Sequence, residues 1–321
     1  MKRLRSLLAV LAALAACTAV AQDYPLKPVK LVVPYSPGGL PDTMARLVGQ
    51  RMSESLGQQF VIENRGGAGG IGGTEHVAKS APDGYTLLIA DVGQLAVNPH
   101  LYSKLPYDPL KDLAPVSLLG TSSLFLVAHP SVPVNSFAEL VVYAKAHPGQ
   151  LNYGSSGTGS IHHLATEALM AAFGLEITHV PYKGTGQSVP ALLGGQVNLL
   201  YSALPSIEAQ VKAGKLKLLA ISTPKRSPQA PEVPTVTELG VAGYDFAPEI
   251  GLLAPAGTSS AIVARLAAEA HRAVFHAETV QRFSQLGIDP AGSTAEAYAA
   301  QIRAAYERYG RVVKATGARV D

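Results

Sequence analysis

Four stretches rich in glycine, serine and threonine hold the residues best placed to do chemistry: YSPGG (35–39), ENRGGAGGIGG (63–73), YGSSGTGS (153–160) and YKGTG (182–186). In the second, Gly67, Gly69 and Gly72 spell G-x-G-x-x-G between an apolar run and a helix-like stretch, and Asp91 follows Gly72 by 19 residues. That pattern imitates the turn that holds a dinucleotide's pyrophosphate, with an acid for the ribose. However, Glu63–Gly66 separates the apolar run from the glycines, and Ala81–Pro82–Asp83–Gly84 cuts the helix to a couple of turns. The spacing therefore favours a structural turn or an anion cradle over a dinucleotide site.

The other motifs are weighed in the same way. The order Lys183–Gly184–Thr185 reverses the glycine and lysine of a P-loop. Ser156 with His162 could form a nucleophile–base pair, yet no G-x-S-x-G elbow surrounds the serine, so a periplasmic serine hydrolase is the rival reading and not the leading one. Nine histidines include one adjacent pair, His162 and His163, whose side chains leave a helix in different directions. No metal and no cofactor is expected. One property is common to all four loops. Loops of Gly, Ser and Thr that open helices present backbone N–H groups and hydroxyls, which suit a small carboxylate without a basic side chain.

Such loops need strands and helices to hold them. Short apolar runs recur at 31–35, 60–64, 85–91, 115–120, 124–129, 152–156, 178–182, 197–201, 216–222 and 250–257. Runs without alternation, separated by helical patterns, predict an α/β fold with mostly parallel strands. The helical stripes Met44, Leu47, Val48, Met52, Leu56 and Tyr298, Ile302, Ala305, Tyr309, Val312 have the 3.6-residue period of core-facing helices. Helices over about 259–276 and 294–314 have no strand signal after them, which predicts that they pack back on an earlier sheet and make the first domain discontinuous.

At the N-terminus Lys2, Arg3 and Arg5 precede the apolar run Leu7–Ala16, about half of what a membrane span needs, so residues 1–21 read as a cleaved export signal. Ala19–Val20–Ala21 offers the ordinary cleavage site, and Leu14–Ala15–Ala16–Cys17 offers a lipobox, with lipidation of Cys17 as the alternative. A periplasmic location follows. Cys17 is the single cysteine, so the mature chain has no disulfide of its own. Cleavage after Ala21 removes three of the 26 basic residues and none of the 23 acidic ones, leaving the charges balanced. With no tryptophan and 6% aromatics, the chain offers neither the charge nor the stacking surface for nucleic acid.

In order along the chain, VVPYSPGGLPDTMARLV (32–48), VIENRGGAGGIGGTEHVAKSAPDGYTLL (61–88), VNPHLYSKLPYDPLKDLAPV (97–116), YGSSGTGSIHHLATEAL (153–169), THVPYKGTGQSVPALLGGQVNLLY (178–201), PEVPTVTELG (231–240) and GLLAPAGTSS (251–260) resemble the Bug family. These are periplasmic solute-binding receptors of tripartite tricarboxylate transporters. The resemblance implies a type II periplasmic-binding-protein fold of two α/β domains, 23–124 with 246–321 and 125–245, closing on a ligand between them. It also implies a monomer without catalysis or metal, a small carboxylate as ligand, and integral membrane subunits as partners.

Carried over by position, the first binding loop is Tyr35, Ser36, Gly38 and Gly39 with Asp42 just beyond. The facing loop is Ser155, Ser156, Gly157, Thr158 and Ser160 with His162, and Thr185 closes a further side. Two departures from the family pattern are visible. Phe246–Ile250 stands where relatives carry a Trp before the G-L-x-A-P-A-G stretch, so that wall of the entrance is expected to differ. Ala90–Asp91 replaces a Gly-Thr or Gly-Ser step. An acid there would repel a second carboxylate and favour a ligand with an ammonium, amide or ring N–H group, unless Asp91 merely caps the following turn.

Overall fold

The computed structural model describes residues 24–316. The export signal and Cys17 lie outside the described residues. Among those described, no helix is long and apolar enough to cross a membrane.

Two sheets organise the chain. The first contains β1 (Val29–Val33), β2 (Phe60–Asn64), β3 (Thr86–Ala90), β4 (Leu113–Ser122), β10 (Glu249–Pro255) and β11 (Ile288–Pro290), in the order β11-β4-β10-β3-β1-β2. The second contains β5 (Phe125–Ala128), β6 (Asn152–Ser155), β7 (Thr178–Pro181), β8 (Leu199–Ser202) and β9 (Lys217–Ile221), in the order β7-β6-β8-β5-β9. All ten predicted strands form. The expectation of mostly parallel sheets does not hold: β1 pairs in parallel with β2 and β3, and β6 with β7 and β8, but β10 runs antiparallel to β3 and β4, β11 to β4, and β5 to β8 and β9. The central strands of both kinds, β1, β3, β5, β8 and β10, are buried along most of their length, so their sequences look alike. Direction depends on where the chain crosses between sheets.

The helices are α1 (Leu40–Leu56), α2 (Ile71–Ala78), α3 (Asn98–Leu101), α4 (Phe137–Ala146), α5 (Ile161–Phe173), α6 (Thr185–Leu193), α7 (Leu204–Lys212), α8 (Ser260–Val274), α9 (Ala277–Gln285) and α10 (Ala295–Thr316). In α1 the predicted stripe buries Met44, Val48 and Met52 to 1% exposure or less, each contributing about 1.5–3 kcal/mol. Gly57, in the left-handed conformation at φ 68°, ends that helix with its N–H on Ser53 O. In α10, Tyr298, Ile302, Ala305 and Tyr309 are buried as the stripe requires. β11 corrects the expectation that no strand follows residue 276. It is three residues long, too brief for a periodic signal, and pairs at the sheet edge.

Two segments cross between the sheets, one after β4 and one between β9 and β10. They are tied together: Ser222 N–H donates to Leu124 O at 2.9 Å, Phe246 N–H to Ser222 O at 3.0 Å, and Ser122 N–H to Pro248 O at 3.2 Å. Ser222 Oγ donates to Phe246 O at 3.1 Å. The second sheet therefore hangs from the first by two adjacent strands of chain.

Candidate functional site

A narrow, nearly closed cleft lies between the two sheets. Its walls come largely from the carboxyl ends of the parallel strands of each sheet. β1 runs into Tyr35, Gly39, Leu40 and Pro41, β3 into Asp91, β6 into Ser156 and His162, and β8 into Ala203 and Ser206, while Thr185 follows β7. The antiparallel strands present their beginnings at the same end, giving Leu124 before β5 and Pro248 and Ile250 at the start of β10.

Four helices begin at this cleft. α5 is capped by Ser160, whose side chain accepts from His163 N–H. The others, α1 after Gly39, α6 after Gly184 and α7 after Ala203, start with no side-chain cap. Uncapped first-turn N–H groups and the positive end of the helix dipole both favour an anion at each of these starts.

The ionisable groups at the cleft are few. Asp91 is 2% exposed; its carboxylate accepts from Tyr35 O–H at 3.1 Å and from Gly93 N–H at 2.7 Å. Burial raises its pKa to about 6, against the opposing pull of those two bonds. It thus holds the first N–H of the π-helical turn Gly93–Val97, and it also lines the cleft. Tyr35 is pushed well above the usual phenol range, chiefly by burial and then by the Asp91 charge. His162 lies 2.9 Å from Ser156 Oγ through Nδ1, and burial lowers its pKa to about 4, so the ring is neutral at physiological pH. Among the described residues no carboxylate bonds its ring.

Of the residues predicted from sequence, the fold brings Tyr35, Gly39, Asp91, Ser156, His162 and Thr185 to the cleft wall. The rest shape or support the loops. Asp42 accepts from Gly38 N–H at 2.9 Å, from Arg46 and from Asn64, and so pins the first loop from behind. Ser155 accepts from Gly157 N–H at 3.0 Å and pairs with His179 Nε2 at 2.7 Å, while Ser160 caps α5. Thr158 gives its carbonyl to Tyr102 O–H at 3.2 Å. Ser36 N–H donates across the cleft to Lys183 O at 3.0 Å. Sequence reasoning missed Ser206 and Ala203, because their turn has no glycine; the strand end followed by A-L-P was the available signal. It also missed Leu124, which lies in a crossing segment.

The glycine-rich stretch 63–73 has its own role. Gly69 accepts through its carbonyl from Gln94 Nε2 at 3.0 Å and Asn98 Nδ2 at 3.1 Å, and its Cα faces the Thr158 carbonyl of the other loop. A Cβ on Gly66 would stand 2.7 Å from Lys183 O, and one on Gly39 2.6 Å from Thr185 Oγ1. The glycines let two backbones meet across the cleft.

Two lobes carrying one sheet each, joined by paired crossing segments and touching through glycine loops over a cleft, define the solute-binding receptors of the periplasm. The chain matches the profile described as "Tripartite tricarboxylate transporter family receptor" over residues 44–318, and it belongs to that family. It is 38% identical over 301 residues to Protein BugT of Bordetella pertussis, covering 94% of this chain and 92% of that one. Among solved structures it resembles R. palustris Rpa4515 with adipate, at TM-score 0.89 and 37% identity, covering 93% of this chain and all of that one. It also resembles MatC of Rhodopseudomonas palustris with bound malate, at TM-score 0.87 and 34% identity, covering 90% and 100%.

Proposed function

We propose that this receptor binds a small carboxylate between its lobes, 23–124 with 246–321 and 125–245, and delivers it to the integral membrane subunits of a tripartite tricarboxylate-type transporter. The observation that carries the reading is the convergence of four helix starts, three of them without side-chain caps, on one cleft whose wall, among the described residues, has no lysine or arginine. The carboxylates bound by Rpa4515 and MatC support the same class of ligand. A ligand touching both lobes binds the closed state better than the open one, so it shifts the population towards closure. On this reading the receptor works as a monomer, is exported by residues 1–21, and turns nothing over.

The test is a thermal-unfolding screen of the chain from residue 22 against small acids, sugars and amines. An acid at about 100 times its Kd adds about 2.7 kcal/mol of stability. Stabilisation by sugars and not by any acid would overturn the proposal. Loss of acid uptake in cells lacking the receptor distinguishes transport from a signalling role.

The Ser156–His162 contact is the observation that favours the rival hydrolase. A hydrolytic pair needs its base oriented by a third group, and among the described residues none bonds the ring. Ester turnover that disappears in Ser156→Ala would establish the rival.

A further inference from the structure

Asp91 is the one carboxylate in the cleft wall, and no cation among the described residues accompanies it. The ion pairs among the described residues engage other acids, and the environment of Asp91 contains only burial, the Gly93 N–H and the Tyr35 hydroxyl. An ionised carboxylate offers about four lone-pair directions, and two donors leave part of that capacity unused. The remaining ionisable side chains of the wall, Tyr35 and His162, are neutral, so the cleft holds one uncompensated negative charge. Burying such a charge is costly unless a partner arrives.

The carboxylate is also held in place. Asp91 N–H donates to Gln94 Oε1 at 3.1 Å, Gln94 Nε2 donates to the Tyr35 hydroxyl at 2.7 Å, and that hydroxyl donates to Asp91. Gln94 is itself fully buried and gives its second N–H to Gly69 O. This closed ring of bonds spends the Tyr35 hydroxyl and fixes the acceptor before any ligand enters. The cleft therefore offers two opposite poles, uncapped helix starts for an anion and a rigid carboxylate for a cation.

We infer that the ligand is a small amino acid in the broad sense, a carboxylate that also carries an ammonium group, with Asp91 as the specificity-determining residue that receives the ammonium. The inference rests on the carboxylate-receptor reading. A dicarboxylate of the same length would set its second negative charge against a buried one with no cation to relieve it.

Calorimetric titration of the chain from residue 22 at about pH 7.5 tests this, with matched probes: malonate, succinate, glutarate and adipate against β-alanine, 4-aminobutyrate, 5-aminopentanoate and 6-aminohexanoate, and succinate against the α-amino acids alanine and serine. The best amino acid should bind at least about tenfold tighter than the best diacid, a difference of about 1.4 kcal/mol. In Asp91→Asn that preference should vanish, with the amino acid weakened and the diacid not. Because the wild-type preference is itself a readout, a poorly folding variant does not rescue the idea. Diacids that bind the wild type as well as their amino counterparts overturn the inference and leave the carboxylate reading standing. Binding by no probe that carries a carboxylate overturns both.

Discussion

Closure can be blocked at one atom. Gly186 is the second residue of α6 and has an ordinary helical φ, so alanine fits its backbone. With the lobes together, however, a Cβ there would fall far inside 3.0 Å of Pro37 O and at 3.1 Å from Ser36 Oγ. Both atoms belong to the other lobe. To relieve the overlap the α1 and α6 loops must part by roughly 1 Å, since carbon and oxygen repel steeply inside their contact distance. That carries two bonds across the same contact beyond useful range: Ser36 N–H to Lys183 O at 3.0 Å and Ser206 Oγ to Gly38 O at 3.1 Å. At about 0.5–1.5 kcal/mol each, Gly186→Ala should weaken the closed state by about 1–3 kcal/mol, roughly 5- to 150-fold in ligand affinity. The unliganded lobe should lose nothing and gain up to about 1 kcal/mol of helix propensity. Calorimetric affinity and thermal unfolding, measured on the same samples, separate the two effects. Wild-type affinity in Gly186→Ala would refute the argument that these loops meet in the bound state, and a lower unfolding temperature without ligand would refute the argument that the clash is confined to closure.

Three further outcomes are expected. Because the pKa of Asp91 is raised from 3.8 to about 6, its ionised form costs the folded state about 3 kcal/mol above pH 6, and that cost is relieved as pH falls through 6 towards 4; the difference in stability between wild type and Asp91→Asn across that range should show it, and a difference independent of pH would contradict it. His162, lowered to about 4, works the opposite way, its folded form favoured above 6.5 and losing that advantage as pH falls, so His162→Gln should flatten the acid limb of the urea-unfolding profile. Asp42→Ala should destabilise the protein by about 1–3 kcal/mol in urea melts, by releasing Gly38 N–H, Arg46 and Asn64 together, although Asp42 does not line the cleft; the folded carboxyl is held below its usual range because those bonds outweigh its burial.

Sequence alone determined the strand runs, the helix stripes and the order of glycine loops, because each depends on neighbours along the chain. Met44, Val48 and Met52 share a face in any α-helix, and a short apolar run such as Leu87–Ala90 between turns has few other fates. It did not determine strand direction, since β10 and β3 have the same buried character whichever way they run, nor did it reveal a strand as short as Ile288–Pro290. Within the site, glycine density marked the loops correctly but not which atoms face the cleft: Asp42 and Ser160 turned inward to secure backbone N–H groups, while Ser206, in a turn without glycine, reached the wall. Asp91 shows the division best. Its type and position were visible in YTLLIAD, but a charge acquires meaning from what surrounds it, and only the folded chain brings the Tyr35 hydroxyl to it and, among the described residues, leaves it without an ion-pair partner. The glycines of ENRGGAGGIGG likewise looked like a cradle for phosphate, and the partner they approach, the carbonyls of Thr158 and Lys183, lies some ninety residues or more away along the chain, where no local pattern could point.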